Sequence, residues 1–154
     1  MKKNALTLCL LLCLALCACG QPAETPKEPY DGDDVATLLN AGLFSETPEE
    51  LDDGIACELL GVDSALVSEC QVYLPTSTNA EALALLVLNS AEDAQTAKSA
   101  CEAWIADQIE SYKDYAPAHV PKLEGAVVSV RENTLLLVVG SDPAAAKTAV
   151  DGLE

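Results

Sequence analysis

The one histidine and the seven cysteines of this 154-residue chain are the side chains best suited to nucleophilic, redox or metal chemistry. His119 lies in the segment Pro117-Ala118-His119-Val120-Pro121, and no serine or cysteine beside it has a recognisable nucleophile pattern. The sequence also lacks the metalloprotease, hydrolase, dinucleotide-binding and phosphate-binding motifs. A histidine in such a setting is most often an exposed loop residue, so we expect no catalytic residue.

Three cysteines, Cys57, Cys70 and Cys101, lie in the domain that the rest of the sequence predicts. No pair of them has the C-x-x-C spacing of a thioredoxin-like redox site. Cys70 and Cys101 fall on the apolar faces of a predicted strand and a predicted helix, which favours small buried thiols. Whether two of the three form a disulfide stays open, and a thiol- or His-dependent envelope enzyme is the alternative function.

The other four cysteines occur within the first 19 residues, and one of them has the surroundings of a lipidation site. The segment Leu16-Cys17-Ala18-Cys19-Gly20 resembles a lipobox, the pattern at which bacterial lipoprotein precursors are cleaved before a diacylated cysteine. Cys19 follows the small Ala18 and has Leu16 three residues before it, whereas Cys17 would place the bulky Leu16 at the cleavage position. The lipidated residue is therefore predicted to be Cys19.

Residues 1–18 have the form of a secretory signal peptide. Lys2 and Lys3 precede a run from Ala5 to Ala18 that is apolar except for Thr7. This run is shorter than the roughly 18–20 apolar residues that a membrane-spanning helix needs. An ordinary signal peptide or a retained helix is the alternative to a lipoprotein signal.

Residues 19–29 are predicted to form a lipidated, flexible tether that precedes a single domain at 30–154. Residues 20–29 contain three prolines and no large apolar side chain, as expected of a solvated spacer. Two or more acyl chains, such as palmitate, hold a protein stably on a membrane. The sequence thus predicts an address on the extracytoplasmic face of the cell membrane and makes the membrane the first partner.

Two clusters of acidic residues raise the question of calcium binding, at residues 31–34 and 52–54. The first departs from the calcium loop of EF-hand proteins, because Val35 and Ala36 occupy positions where that loop needs an aspartate and a glycine. We interpret both clusters as acids at helix starts, where the helix dipole favours negative charge. No metal or cofactor is predicted.

Four residues after the predicted long helix form a candidate partner-binding patch: Tyr112, Tyr115, Pro117 and His119. Aromatic, proline and histidine side chains on a loop are typical of recognition surfaces. The same residues also suit a hinge that returns the chain to the sheet, with both tyrosine rings at the edge of the core. The hinge is the favoured interpretation.

Composition narrows the function classes further. The chain has 25 acidic against 8 basic residues, a net charge of −17, which argues against nucleic acid as a partner. Half of the residues are hydrophobic, enough for one folded domain and against disorder. These exclusions favour a binding or interaction module of the cell envelope, whose partner is an envelope protein or a small ligand.

Periodic apolar residues predict two short helices at the start of the domain. The first begins at residues 33–34 and places Val35, Leu38 and Leu39 on one face. The second is predicted from near Pro48 to Gly61, with residues 51, 55 and 59 forming one apolar stripe towards the core.

A longer helix and a C-terminal helix are predicted further along. The longer one starts at the cap-like Ser90 and continues for five turns. Its apolar residues recur at helical spacing: Ala94, Ala97, Cys101, Trp104, Ile105, Ile109 and Tyr112. The last helix has Pro143 in its first turn and ends near Leu153.

Two strand pairs complete the predicted fold. Residues 69–74 alternate, residues 82–88 are apolar throughout, and residues 126–130 and 134–139 flank a short polar link. The order of elements predicts an α+β fold, a four-stranded antiparallel sheet of two hairpins with the long helix between them. The C-terminal helix and the short N-terminal helices are expected to pack on this sheet, with the two wholly apolar strands as its inner pair.

Taken together, these features resemble the lipoprotein family catalogued as domain of unknown function 4358. The resemblance covers roughly residues 30–153 and rests on the lipobox, the tether, the long helix, the apolar hairpin and short motifs. Those motifs are Leu51-Asp52-Asp53, Leu60-Gly61-Val62-Asp63, Tyr115-Ala116-Pro117, Val120-Pro121-Lys122-Leu123-Glu124 and Asp142-Pro143. The resemblance implies an envelope address but no established activity, and it transfers no catalytic residue.

Overall fold

The computed structural model describes residues 27–75 and 78–154, with the backbone but not the side chains of residues 53 and 54. The predicted signal peptide at 1–18, the predicted lipidation site Cys19 and most of the tether at 19–29 lie outside the described residues.

Five α-helices and five strands make up the described part of the chain. The helices are α1 (Gly32–Asn40), α2 (Asp53–Leu59), α3 (Ala91–Tyr115), α4 (Val120–Glu124) and α5 (Pro143–Asp151). The strands are β1 (Glu49–Glu50), β2 (Val67–Leu74), β3 (Ala82–Leu88), β4 (Val127–Arg131) and β5 (Thr134–Val139). Short 3-10 turns precede β2 at Ser64–Leu66 and α4 at Pro117–His119.

Side-chain caps fix where three of the helices begin. Asp31 accepts hydrogen bonds from two backbone N–H groups of α1, and Asp34 bonds back to the Asp31 backbone in a capping box. Ser90 caps α3 and Asp142 caps α5, which has Pro143 in its first turn. These caps satisfy backbone donors that a helix N-terminus leaves unpaired. The interpretation of residues 31–34 as helix-start acids is therefore confirmed.

The strands form one antiparallel sheet in the order β1-β2-β3-β5-β4. The two predicted hairpins are present, β2 with β3 and β4 with β5, and they join through the pairing of β3 with β5. The wholly apolar β3 and the buried β5 are thus the inner pair, as predicted. The predicted sheet had four strands, whereas the structure has five, because Glu49 and Glu50 pair with the end of β2.

Helices cover both faces of this sheet, and successive residues of β3 alternate between two apolar clusters. Ala84 and Leu86 pack in a cluster with α2, α3 and Leu123 of α4. Leu83 and Leu85 pack on the opposite face in a cluster that includes α1 and α5. A strand buried on both faces has to be apolar at every position, which explains the uninterrupted run at 82–88.

The second predicted helix differs from the structure in its start and in its buried face. It begins at Asp53 rather than near Pro48, because the Leu51 N–H donates to the Val72 carbonyl at 2.8 Å and continues the sheet. The predicted apolar stripe is also wrong, since Ile55 is 59% and Leu59 40% exposed. The neighbouring helical face, with Ala56, Cys57 and Leu60, is buried instead.

A clamp around Arg131 fixes the point at which the chain enters the domain. Arg131 is buried and donates to the backbone carbonyls of Glu28, Leu153 and Glu154. Its guanidinium lies 4.1 Å from the centre of the Tyr30 ring, close enough for a cation–π contact. Lys27 donates to the Leu153 carbonyl at 2.8 Å, so the first described residues pack against the last ones.

Candidate functional site

The end of α3 and the following 3-10 turn bring together the rings of the predicted patch. Tyr112 and Tyr115 have ring centres 5.0 Å apart, and the His119 ring meets Tyr112 edge-on at 5.5 Å. Tyr112 is buried in the core cluster on this face of the sheet, whereas Tyr115 is 59% exposed and Pro117 is exposed. Only Tyr112 therefore has the buried place that the hinge interpretation gave to both tyrosines.

His119 is half-buried rather than fully exposed, and its Nδ1 atom is buried without a hydrogen-bond partner. Burial, followed by the hydrogen bond that the Tyr112 hydroxyl donates to Tyr115, raises the pKa of Tyr112 to about 12. The phenol of Tyr112 thus stays protonated at neutral pH. Tyr112 therefore contributes an aromatic ring to this cluster and no phenolate.

A cavity of about 220 Å³ lies beside Tyr112, between α2, α3 and the loop that connects β2 to β3. Its lining combines two aromatic rings with apolar and polar side chains: Leu59, Leu74, Pro75, Asn79, Ala80, Glu81, Trp104, Gln108 and Tyr112. We call it the Trp104 cavity. An apolar protein cavity of roughly 150 Å³ holds a benzene molecule, so this one has room for a single ring with a short substituent.

Glu81, which lines the Trp104 cavity, belongs to a buried ion pair. The Glu81 side chain is 1% exposed, and its Oε1 lies 2.7 Å from the Nζ of Lys122, whose side chain is 19% exposed. Ser45 donates to the same carboxylate through its backbone N–H at 2.7 Å and its hydroxyl at 2.8 Å. Asn79 donates to the Ser45 hydroxyl and accepts from Lys122, which closes the network.

Two opposing effects set the ionisation of Glu81. Burial raises its pKa, but hydrogen bonds from Lys122, Ser45 and Asn79 outweigh burial and bring the pKa below the ordinary value of 4.5. Glu81 is therefore ionised at neutral pH, and Lys122 neutralises it locally. The carboxylate of Glu81 is polar, but its hydrogen bonds to Lys122 and Ser45 already engage both of its oxygens. Glu81 therefore shapes the cavity and does not offer a reactive group.

Two polar groups of the cavity lining remain free for a ligand. Neither the indole N–H of Trp104 nor the side-chain amide of Gln108 has a hydrogen-bond partner among residues 27–75 and 78–154. Both residues are half-buried on α3 and lie one helical turn apart. The lining thus combines apolar and aromatic side chains with two polar groups that could orient a ligand, and small-molecule sites combine both kinds of group.

No disulfide joins Cys57, Cys70 or Cys101 within the described residues, and Cys57 and Cys101 are buried. Burial, then the nearby charge of Glu102 and the nearby Cys57, raise the pKa of Cys101 to about 12. A thiol with such a pKa is almost entirely protonated at neutral pH, and the protonated form is a poor nucleophile. The geometry thus favours the packing interpretation for Cys101 over the thiol-dependent enzyme.

Within the described ranges, no three His, Cys, Asp or Glu side chains lie close enough together to hold a metal ion. The same part of the chain contains no helix that is both long and apolar enough to cross a membrane. Asp31 and Asp34 are engaged in capping α1, as described above.

The Glu81 network was not predicted from the sequence, although one signal was available. Glu81 stands directly before the apolar run 82–88, and a charged residue in such a place needs a partner when buried. The partners Ser45 and Lys122 lie 36 and 41 residues away, in two segments that only the folded chain brings together.

The sequence model described as Domain of unknown function (DUF4358) matches residues 42–140. This range includes Ser45, Glu81, Lys122 and the whole lining of the Trp104 cavity. Neither the curated proteins nor the solved structures contain a significant match to the chain.

Proposed function

The chain belongs to the DUF4358 family, which assigns no activity, and we propose that it is a lipid-anchored binding module of the cell envelope. In this proposal Cys19 carries the acyl chains, residues 20–29 span the distance to the domain, and the Trp104 cavity holds the ligand. The ligand is a small ring-bearing molecule or side chain that is neutral or cationic.

The lipid anchor rests on the sequence Leu16–Gly20, in which a small residue precedes Cys19. A domain with the net charge of this chain, −17, is repelled by anionic headgroups, so acyl chains have to provide the attachment. The anchor is tested by the intact mass of the native protein extracted from membranes. We expect a chain that starts at acylated Cys19, and the same product from a Cys17→Ser variant.

A Cys19→Ser variant is the matched change that should abolish acylation. Recovery of the native protein as a soluble, unprocessed chain that begins at Met1 would contradict both the anchor and the address. That outcome would leave the ligand proposal standing, because the cavity lies entirely within the domain.

The Trp104 cavity is the observation that carries the binding function. It combines a ring-sized volume, two aromatic side chains and two polar groups without protein partners. Trp104 and Tyr112 favour planar and cationic groups, since aromatic rings attract cations through their quadrupoles. The acidic surface adds a long-range preference for cations over anions.

Three ring compounds that differ mainly in charge test this preference: benzylamine, benzyl alcohol and benzoate. At about 0.5 kcal/mol for each of eight heavy atoms, benzylamine would bind with a Kd near 1 mM. At 10 mM it should stabilise the fold by about 1.4 kcal/mol, which corresponds to a melting shift of roughly 3–5 °C. We expect a smaller shift with benzyl alcohol and none with benzoate.

Binding can be followed directly, because Trp104 is the only tryptophan of the chain and its fluorescence reports on the cavity. Gln108→Leu removes the free amide and should weaken benzylamine and benzyl alcohol binding by about threefold to tenfold. Gln95→Leu makes the same change on the exposed face of α3 and should have no effect. Equal shifts for all three compounds, or equal effects of the two variants, would refute the assignment.

A further inference from the structure

β4 is an outer strand whose free edge has no neighbouring strand among residues 27–75 and 78–154. It pairs only with β5, and the two-residue turn at 132–133 makes Arg131 and Thr134 the closing pair of the hairpin. Glu132 has a φ of 50°, as in the first position of a type II′ turn. Because backbone groups alternate in direction along an antiparallel ladder, those of Val128 and Val130 face away from β5.

This edge lacks the usual protection against pairing. The outward backbone groups of Val128 and Val130 make no hydrogen bond within the described part of the chain. Edge strands are commonly protected by a lysine, a proline or a covering helix, and β4 contains neither lysine nor proline. Its one charged side chain, Arg131, is occupied by the carbonyls of Glu28 and Leu153.

Two grooves of different chemistry lie beside the start of β4, and Val128 lines both of them. The groove towards α3 has a volume of about 300 Å³, and its lining combines Ile105 and Ile109 with Glu102 and Glu124. The groove towards α5 has a volume of about 550 Å³ and includes Pro143, Ala144 and Lys147. Successive side chains of an added strand would enter these grooves in turn.

We propose that β4 binds an extended segment of a partner protein as a sixth strand, with basic and apolar residues alternating along that segment. Lysine or arginine side chains on one face would lay their apolar stems along Ile105 and Ile109 and bring their charges to Glu102 and Glu124. Lys98 approaches Glu102 at 3.8 Å, but both side chains are more than one third exposed, so a second cation can compete. Small apolar side chains would enter the other groove, where Lys147 disfavours cations.

The charge of the chain decides between this occupant and a second copy of the same protein. Pairing two copies edge to edge would bring together two chains that each have a net charge of −17. A basic segment removes that repulsion and is attracted by the acidic domain at long range. The partner is therefore expected to be a different, basic chain.

The test uses the full chain purified in detergent and a synthetic peptide with the sequence Ser-Arg-Val-Arg-Val-Arg-Ser, acetylated and amidated. Binding is measured by calorimetry, and amide hydrogen exchange is measured by NMR. Exchange at Val128 and Val130 should slow on binding, whereas Val127 and Ser129, whose amides already face β5, should change little. Equal protection along the strand, or protection elsewhere only, overturns the proposal.

A matched peptide carries N-methyl groups on alternate residues, which removes the backbone donors and keeps the charge. It should bind at least about tenfold more weakly, because two or more hydrogen bonds are lost. In the protein, Val128→Pro removes one outward N–H at an edge where proline is tolerated, and should weaken binding several-fold. Equal affinity of both peptides would show that charge alone attracts them and would refute strand addition.

Two other possible occupants of the β4 edge would give different results, and either result would overturn the proposal. Concentration-dependent dimerisation that Val128→Pro abolishes would assign the edge to a second copy. Binding of the peptide only after deletion of residues 20–26 would assign the edge to the tether of the chain itself.

Glu124→Gln should weaken peptide binding about threefold, whereas Glu92→Gln, at the exposed start of α3, should leave it unchanged.

Discussion

Replacement of Lys122 by methionine tests whether the network around Glu81 holds the fold together. The variant keeps much of the side-chain volume but removes the cation 2.7 Å from a carboxylate whose side chain is only 1% exposed. Removing one partner of a buried ion pair costs about 3–5 kcal/mol, since a charge is left buried without compensation. Ser45 still donates two hydrogen bonds to Glu81, so we expect the lower end, about 3 kcal/mol. This corresponds to a fall in Tm of roughly 6–12 °C.

The effect of pH on the stability of the Lys122→Met variant follows from the direction in which the Glu81 pKa is shifted. In the wild-type protein the pKa lies below 4.5, so the network stabilises the fold above about pH 4.5 and loses this contribution as the pH falls through the folded pKa. In the variant, only the hydrogen bonds from Ser45 and Asn79 oppose the effect of burial, so the pKa of Glu81 rises relative to the wild-type protein. Acidification then neutralises the buried carboxyl group and relieves the penalty. The stability difference should therefore be largest at pH 7 and shrink towards pH 5.

Urea denaturation followed by circular dichroism at pH 7 and pH 5 measures this difference. Lys147→Met is the matched control, because Lys147 pairs with Asp151 at 2.8 Å while both side chains are exposed. Lys147→Met should lower the free energy of unfolding by no more than about 1 kcal/mol at either pH. A Lys122→Met penalty as small as that of the control, or one that does not fall on acidification, would refute the reasoning.

Three further predictions concern packing, thiol reactivity and capping. Gly125→Ala would place a Cβ 2.3 Å from the Cβ of Pro143 and should cost about 1–3 kcal/mol in urea unfolding, whereas Gly32→Ala has its nearest atom at 3.8 Å and should be neutral or slightly stabilising. The pKa of Cys101, about 12, leaves roughly one thiol in 10⁴ ionised at pH 8. Alkylation of Cys101 by iodoacetamide, read by peptide mass, should therefore require unfolding. Asp142→Ala removes the cap of α5 and should lower the free energy of unfolding by about 1 kcal/mol.

The sequence predicts the sheet well because burial on both faces leaves an unmistakable pattern. Residues 82–88 cannot be polar when Leu83 and Leu86 pack in opposite clusters, so the apolar run identifies an inner strand. β1 leaves no such pattern. It has only Glu49 and Glu50, whose side chains are exposed, and its pairing depends on backbone hydrogen bonds that any residue but proline can make.

The face of α2 was mispredicted for a related reason. Residues 51, 55 and 59 have the spacing and size of a core stripe, yet α2 has only seven residues and packs mainly against β2. The buried face contains the smaller Ala56 and Cys57, while Ile55 is exposed and Leu59 lines the Trp104 cavity. Large apolar side chains beside a cavity resemble a core stripe in the sequence, and only the three-dimensional packing separates the two.

The length of α3 gives one physical reason why both proposed binding regions lie along this helix. Its 25 residues extend about 37 Å, whereas the seven residues of β3 extend about 23 Å. The central strand can therefore cover only part of the helix, and the half-buried residues Trp104, Ile105 and Ile109 all lie in its C-terminal half. One flank faces the Trp104 cavity and the other faces the groove beside β4. A ligand that orders Trp104 should consequently also affect Ile105, so benzylamine is expected to slow the amide exchange of β4, and unchanged exchange at saturation would show that the two sites are independent.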